Sequence, residues 1–322
     1  MNPGSVSPAI QSRDIRKVGI CGIGQMGSAA VVAFVRGGYE VLVWARDGKK
    51  LDELSPRIES MLQWADEHQG PAKSSDGSWR STPSLGTLDA EADAVLECVA
   101  EDMVQKVELY RQFDAARRRP TLFLSATSGL SMTEMGHQSG LSDRLVGAHF
   151  WNPPHLIPVV EMVRGDATSQ FIVDVACELM RHIGKRPVQC ADVPGFIGNR
   201  LMHAMWREAL DLVERGVATP EDIDTIVRLT FALRLPALGP FENMDYVGLP
   251  LVHKVQEYLG PSLASNTKPS KELTSRIAAG DRGVRDGKGF YDWSAKDADE
   301  LLRQRDEQVV RQLQFLRERR RE

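Results

Sequence analysis

Apolar positions along the first half of this chain fall into short buried runs separated by amphipathic stretches. Val18, Ile20 and Cys21 form a first run, and a glycine-rich turn and an apolar helical stretch (Ala29, Ala30, Val32, Ala33, Phe34) follow. Glu40–Trp44 alternates with apolar bias as a second strand, and Leu51 to Trp64 has helical periodicity. Gly70 to Ser81, rich in Ser, Gly and Lys, reads as a polar loop. Asp93–Val99 and Thr121–Ser125 are the next strands, with a helix beginning near Glu101 between them. Arg144–Phe150, Ile157–Val163 and Arg186–Cys190 read as further strands, and a helix over Thr168–His182 separates the last two. Strands alternating with helices predict an α/β fold: a Rossmann-like, doubly wound, mostly parallel sheet, with a hairpin-like pair extending one edge.

The pattern changes at Asp192-Val193-Pro194-Gly195. Beyond it only helices are predicted, so the chain divides into a tail over 1–14, expected to be disordered, a dinucleotide-binding domain over 15–192 and an all-α domain over 193–322. The first of these helices carries Ile197, Leu201, Met205, Trp206, Leu210 and Val213 and stops at Gly216. Its wide apolar face predicts plain core, with a dimer interface as the alternative. Thr219-Pro220-Glu221-Asp222 opens another helix, with Thr as cap and Pro in the first turn. A charged terminal helix from Lys296 to Glu322 has a thin apolar stripe (Leu302, Val309, Leu313, Leu316) and reads as a solvated face.

Within this frame the turn after the first strand acquires a chemical meaning. Gly22, Gly24 and Gly27 occupy the G-x-G-x-x-G positions between a strand and a helix. Gly22 permits the tight turn, Gly24 lets the backbone approach a pyrophosphate, and Gly27 lets helix and strand pack closely. The helix that opens at Gln25 and Met26 points its N-terminal N–H groups at the phosphates. About 20 residues beyond the glycines an Asp or Glu usually binds the ribose of NAD; here Ala45 and Arg46 stand there, followed by Asp47. A guanidinium suits the 2′-phosphate of NADP, so the expected cofactor is NAD or NADP.

Composition narrows the partners. At 322 residues, with 42% hydrophobic and 26% charged residues, the chain has the make-up of a soluble globular protein. A formal net charge of −4 favours neither nucleic acid nor an anionic membrane. Cys21, Cys98, Cys177 and Cys190 are scattered without C-x-x-C spacing, which predicts reduced structural thiols and no metal site. With no signal-peptide-like or membrane-spanning run and no peroxisomal tripeptide at the end, the cytoplasm is the expected compartment.

Three segments carry candidate chemistry: Ser125–Leu130 (SATSGL), Gly147–Val163 (GAHFWNPPHLIPVVEMV) and Val193–Leu201 (VPGFIGNRL). The first places Ser128 in a loop at the carboxyl end of a strand, where such sheets bind ligands. The second places His149 near a strand end, with Glu161 in the following strand, and the third puts Asn199 at the start of the second domain's first helix. All three are expected to converge on a cleft between the domains. On spacing alone His149 and His155 are equal candidates for a reactive imidazole. Glu161, inside an apolar strand, requires a partner.

With GIGQMG, LVERGVATPEDID, GPFENMDYVGL and GKGFYDW, these segments resemble the 3-hydroxyacyl-CoA dehydrogenase family from Lys17 to about Trp293. The resemblance implies hydride transfer with a nicotinamide and a C-terminal helical domain that forms a homodimer. It matches His149 to the family's catalytic histidine, Glu161 to its partner carboxylate, Ser128 to its serine and Asn199 to its asparagine. Glu101 and Lys106 match residues near the nicotinamide; as bare sequence they equally read as solvated charges at a helix start. An imidazole suits proton removal from a secondary alcohol near neutral pH. A carboxylate holds its tautomer, and Ser128 and Asn199 can hydrogen-bond the reacting oxygen.

Two departures bear on the substrate. Ala126 replaces the family's usual Asn, and Asp52 to His68 has one basic residue, Arg57, against five acids, where CoA-using members are lysine-rich. HFWNPPHLIP is instead similar to the subgroup holding L-gulonate 3-dehydrogenase (lambda-crystallin) and carnitine 3-dehydrogenase. The stretch VPGF…LVERGV is similar to a pyridine-carboxylate dehydrogenase of vitamin B6 breakdown. The expectation is a small hydroxylated substrate, polar or anionic, without CoA; a 3-hydroxyacyl-CoA is the alternative, and a catalytically silent cofactor-binding protein a remote one. A 6-phosphogluconate-type enzyme is disfavoured, because this interdomain helix begins GFIGNRL and offers no lysine.

Overall fold

The computed structural model describes residues 10–48, 51, 53–113 and 121–318. They form two compact units, Met1–Arg200 and Leu201–Glu322. The first is built on one eight-stranded sheet of order β3-β2-β1-β4-β5-β6-β7-β8. Its strands are β1 (Lys17–Cys21), β2 (Glu40–Trp44), β3 (Ser78–Thr82), β4 (Ala94–Glu97), β5 (Leu122–Ser125), β6 (Leu145–Phe150), β7 (Val159–Arg164) and β8 (Arg186–Ala191). All neighbours run parallel except β6 and β7, which are antiparallel. The order reverses between β1 and β4, which opens a crevice at the carboxyl ends of those strands.

The central strands are buried on both faces, so they read as near-continuous apolar runs. Val18, Ile20, Val41 and Val43 pack toward α1 (Gln25–Arg36), α2 (Leu54–Gln69) and α6 (Gln170–His182). Leu42, Val95 and Phe123 belong to a second cluster, shared with α4 (Met103–Arg111) and α5 (Met132–Ser139); α3 (Leu85–Glu91) adds Leu88 to it. Ser84, Asp102, Ser131 and Ser169 each accept a backbone N–H at the start of α3, α4, α5 and α6. These caps fix where each helix leaves the sheet.

Two expectations are corrected in this unit. The loop over 70–81 contains the start of β3, an edge strand whose Ser78, Arg80 and Ser81 are exposed and which therefore lacks the apolar alternation of a half-buried strand. The tail over 1–14 lies outside the described residues up to position 9. From Ile10 onward it is built in: Ile10 and Ile15 are buried against the sheet's helices, with a 3₁₀ turn over Ser12–Asp14 between them.

The second unit is helical, as expected. It continues α7 (Gly198–Glu214) and adds α8 (Pro220–Leu229), α9 (Phe231–Arg234), α10 (Pro240–Val247), α11 (Leu249–Leu259), α12 (Lys271–Ala278) and α13 (Ala298–Glu318). Gly216 ends the first helix with φ +66°, and Thr219 with Asp222 forms a reciprocal capping box on α8. The plain-core reading of α7 is overturned. Leu201 is 62% exposed and Trp206 46%, and among the described residues of this unit no apolar side chain is buried. The last four residues of the expected terminal helix lie outside the described chain.

Candidate active site

The glycine turn has the stereochemistry a pyrophosphate requires. Gly22 has φ +109°, and a Cβ there would lie 2.5 Å from the Cys98 carbonyl oxygen. A Cβ on Gly27 would meet the Gly22 oxygen at 1.9 Å. Gly24, by contrast, faces open space within 4 Å and is the N-cap of α1. The two closed positions and one open position make a cradle that fits a dinucleotide phosphate. Gln25 and Met26 form the first turn of α1; Ala45 is buried, and Arg46 stands exposed at the end of β2.

His149 and Glu161 stand directly opposite each other in the antiparallel β6–β7 pair. Opposed residues project from the same face of a sheet, so the ladder itself brings the two side chains together. His149 Nδ1 lies 2.7 Å from Glu161 Oε2, and the two residues are 4% and 3% exposed. With Nδ1 donating to the carboxylate, the lone pair resides on Nε2. His155, the rival candidate, instead packs edge-on to Trp64 of α2 at 5.5 Å between ring centroids.

Glu161 is fully engaged. Its other oxygen, Oε1, accepts the backbone N–H groups of Ile197 at 2.9 Å and Gly198 at 3.0 Å. Trp151 Nε1 donates to Oε2 at 3.2 Å. Burial pushes this carboxyl up, but the N–H of Gly198, His149 and the N–H of Ile197 outweigh it, and the net position is below the usual carboxylate range. Glu161 therefore stays ionised beside His149 while pinning the start of α7.

That anchoring bears on Asn199, the next residue. Its Nδ2 donates to the Ser128 carbonyl oxygen at 2.8 Å, so a chain of bonds runs from His149 through Glu161 and the α7 start to the Ser128 loop. The Ser128 side chain is exposed. Its backbone N–H donates to Glu101 Oε1 at 2.6 Å, and the Thr127 hydroxyl donates to the same oxygen at 2.6 Å. Glu101 thus shapes the serine loop.

Of the two readings open for Lys106, burial removes the solvated helix-start charge. Lys106 is 1% exposed, and its Nζ lies 2.7 Å from Glu97 Oε1, 3.3 Å from Glu101 Oε2 and 3.4 Å from the Val99 oxygen. Glu97, at the end of β4, also accepts from Ser125 Oγ at 2.7 Å and Val99 N at 2.6 Å. Burial raises the Glu97 carboxyl, and Lys106, Ser125 and Val99 draw it back. Sequence reasoning missed Glu97, Ser125, Thr127 and Trp151. Glu97 carried a usable signal: an acid inside LECV is a buried charge that needs a cation.

Among the described residues no His, Cys, Asp and Glu side chains are grouped to hold a metal, and no helix is long and apolar enough to cross a membrane.

Comparison with known proteins supplies the family. The 3-hydroxyacyl-CoA dehydrogenase NAD binding domain matches residues 17–193, and the C-terminal domain of the same family matches residues 195–293. A 5-formyl-3-hydroxy-2-methylpyridine 4-carboxylate 5-dehydrogenase of Mesorhizobium japonicum is 32% identical over 92% of this chain and 96% of its own. An L-carnitine dehydrogenase of Nocardiopsis dassonvillei is 34% identical over 92% and 90%. A probable 3-hydroxybutyryl-CoA dehydrogenase of Deinococcus radiodurans is 32% identical over 85% and 99%, so identity alone does not separate the substrate classes. The solved structure of a 5-formyl-3-hydroxy-2-methylpyridine 4-carboxylic acid 5-dehydrogenase, described as an NAD+-dependent dismutase, superposes with a TM-score of 0.89 at 30% identity, covering 94% of this chain and 99% of that one. Two consecutive domain matches and relatives spanning nearly the whole chain lead to one conclusion: the chain belongs to the 3-hydroxyacyl-CoA dehydrogenase family and is a nicotinamide-dependent oxidoreductase.

Proposed function

We propose that the chain oxidises a secondary alcohol of the 3-hydroxy type, or a similar alcohol, on a small polar or anionic substrate not carried on CoA. His149 serves as the general base and NAD as the cofactor. The observation that carries this reading is the buried His149–Glu161 pair, bonded through the start of α7 to the Ser128 loop. The nicotinamide, when bound, supplies the hydride acceptor. His149 Nε2 takes the hydroxyl proton as the carbinol hydrogen leaves with its electron pair, and Glu161 stabilises the imidazolium that forms. The exposed Ser128 hydroxyl and the Asn199 amide hydrogen-bond the substrate oxygen.

Support for a substrate without CoA comes from α2 and the residues just before it. Arg57 is the one Lys or Arg between Glu53 and His68, against Glu53, Glu59, Asp66 and Glu67; Asp52 lies outside the described residues. CoA phosphates would find little counter-charge there. The open apolar faces of the second unit favour a homodimer formed through α7 and its neighbours.

A screen with NAD and NADP against hydroxy acids, carnitine-like alcohols and 3-hydroxyacyl-CoA tests the substrate class. Comparable efficiency with acyl-CoA would overturn the argument from α2. In parallel, His149→Ala is expected to keep cofactor binding and lose turnover; unchanged turnover would remove His149 from the role of base.

A further inference from the structure

Glu161 Oε2 is shared by two donors with different chemistry. One is His149 Nδ1, which changes charge in the proposed reaction; the other is Trp151 Nε1 at 3.2 Å, which cannot. Trp151 lies in the loop that leaves β6, two residues after His149, with its ring centroid 5.4 Å from the imidazole. Its indole is held from behind by the start of α7: a Cβ on Gly198 would meet Trp151 Cζ2 at 2.2 Å. The N–H is therefore fixed on the carboxylate by packing as well as by its own hydrogen bond.

We propose that Trp151 is a positioning and tuning residue for the His149–Glu161 dyad, its indole N–H aiming Oε2 at the imidazole and weakening that oxygen's hold on a proton. A donor on a carboxylate stabilises its charge, most when no other cation shares that oxygen. The indole bond is accordingly stronger when the imidazole is neutral than when it is protonated, and it biases the dyad toward the neutral state required of a base. The remaining donors on Glu161 are the N–H groups of Ile197 and Gly198, which are backbone and do not titrate. From β8 and the residue that follows it, the Cys190 thiol and the Asp192 carboxylate lie nearest in the chain to this region. Burial, Glu161 and Asp192 push Cys190 up to about 11, so it stays neutral over the working range. Burial raises Asp192, but the N–H of Thr133, the Ser131 hydroxyl and the N–H of Met132 hold it lower, and it stays charged. Phe196, 5.6 Å from the imidazole between ring centroids, adds an apolar wall.

This inference rests on the proposed role of His149 only for its catalytic meaning; the coupling itself is measurable without a substrate. In the full-length protein saturated with NAD, the proton titration of the dyad is followed by NMR at the His149 ring Cε1–H, assigned by its loss in His149→Gln. Trp151→Phe deletes the N–H and keeps an aromatic ring. The dyad of this variant is expected to take up its proton at a pH about 0.5 units higher, roughly a threefold change in proton affinity. A midpoint within 0.1 units of wild type would overturn the proposal. If Trp151→Phe does not fold, site-specific replacement of the indole by a benzothienyl side chain removes the N–H at nearly constant shape, and the same shift is required. Once the screen supplies a substrate, the acid limb of kcat/KM for oxidation must rise by the same amount, and reduction must extend to higher pH. Equal losses in both directions with unmoved limbs would indicate a purely structural tryptophan and refute the tuning. Absence of any turnover would count against the proposed function and leave the NMR result to decide this one.

Discussion

Replacing Glu161 by Gln isolates what a full negative charge contributes, because size and shape are kept. Wild-type Glu161 accepts four hydrogen bonds: Ile197 N and Gly198 N on one oxygen, His149 Nδ1 and Trp151 Nε1 on the other. A glutamine has one acceptor end and one donor end. If its oxygen faces His149, two backbone N–H groups at the start of α7 meet an NH₂ group. If its oxygen faces α7, only the Trp151 N–H is orphaned, and that orientation wins. The amide then donates to His149 Nδ1, which forces the imidazole proton onto Nε2 and removes the lone pair needed to accept the substrate's proton. An unsatisfied buried donor costs about 1–3 kcal/mol, which sets the expected loss of stability. Loss of the general base lowers kcat by about 10²–10⁴-fold, while NAD affinity, set at the glycine turn, stays within about twofold of wild type. Steady-state kinetics, NAD titration by protein fluorescence and chemical denaturation read these three quantities. A variant keeping more than a tenth of wild-type kcat would refute the tautomer argument.

The same residue predicts a pH dependence of stability. Glu161 is held below its usual range of about 4.5 in the folded chain, so the unfolded chain binds this proton more readily. Its stabilising contribution is complete above about pH 4.5 and is lost as the pH falls further through the folded value. The stability gap between wild type and Glu161→Gln therefore narrows below that pH; denaturation curves at pH 7 and pH 4 measure it, and a constant gap would count against an ionised native Glu161.

Other perturbations probe neighbouring groups. Lys106→Met leaves Glu97 buried without its cation and is expected to cost about 3–5 kcal/mol; adding Glu97→Gln should restore most of it, and a double variant as unstable as the single would sink the ion-pair account. Arg46→Ala is expected to weaken NADP binding by about tenfold, as for a charge-assisted phosphate contact, with NAD unchanged; equal NADP affinity in both proteins removes that contact. Trp206→Glu, on the open face of α7, tests the proposed homodimer: wild type is expected to sediment as a dimer and the variant as a monomer at micromolar concentration, and an equal sedimentation coefficient for both would count against an interface through α7.

Much of the first unit was legible because its physics is local. The apolar run, the glycine turn and the apolar helix over Lys17–Arg36 are contiguous, and α3, α4, α5 and α6 each begin at a Ser or Asp cap. What escaped was non-local. β3 has little apolar pattern because its edge position leaves most of it in solvent. The Lys106–Glu97 contact joins a helix to a strand end, and Lys106 on its own is indistinguishable from a surface lysine. Ile10 is a single apolar residue in a polar segment, and only the folded helices around it reveal its burial. For α7 the periodicity gave the apolar face, which the described chain leaves open, since periodicity records that a face is apolar and not what lies against it. Spacing alone left His149 and His155 equal; the family resemblance favoured His149, and the strand ladder supplies the physical reason by setting it opposite Glu161.

The antiparallel β6–β7 pair has a consequence for how this enzyme can be altered. Base and partner acid are twelve positions apart on one hairpin, so their meeting requires closure of a short loop rather than assembly of distant segments. The ladder, not the connecting loop, sets their register. The stretch between Trp151 and Pro158 is itself tied down: Pro153, Pro154 and Leu156 are buried, and the buried Lys185 Nζ donates to the carbonyl oxygens of Pro154 and Ile157. Two restraints thus hold this hairpin, the ladder beneath the dyad and the Lys185 anchor beneath its loop, and a loop exchanged between relatives has to carry the second with it.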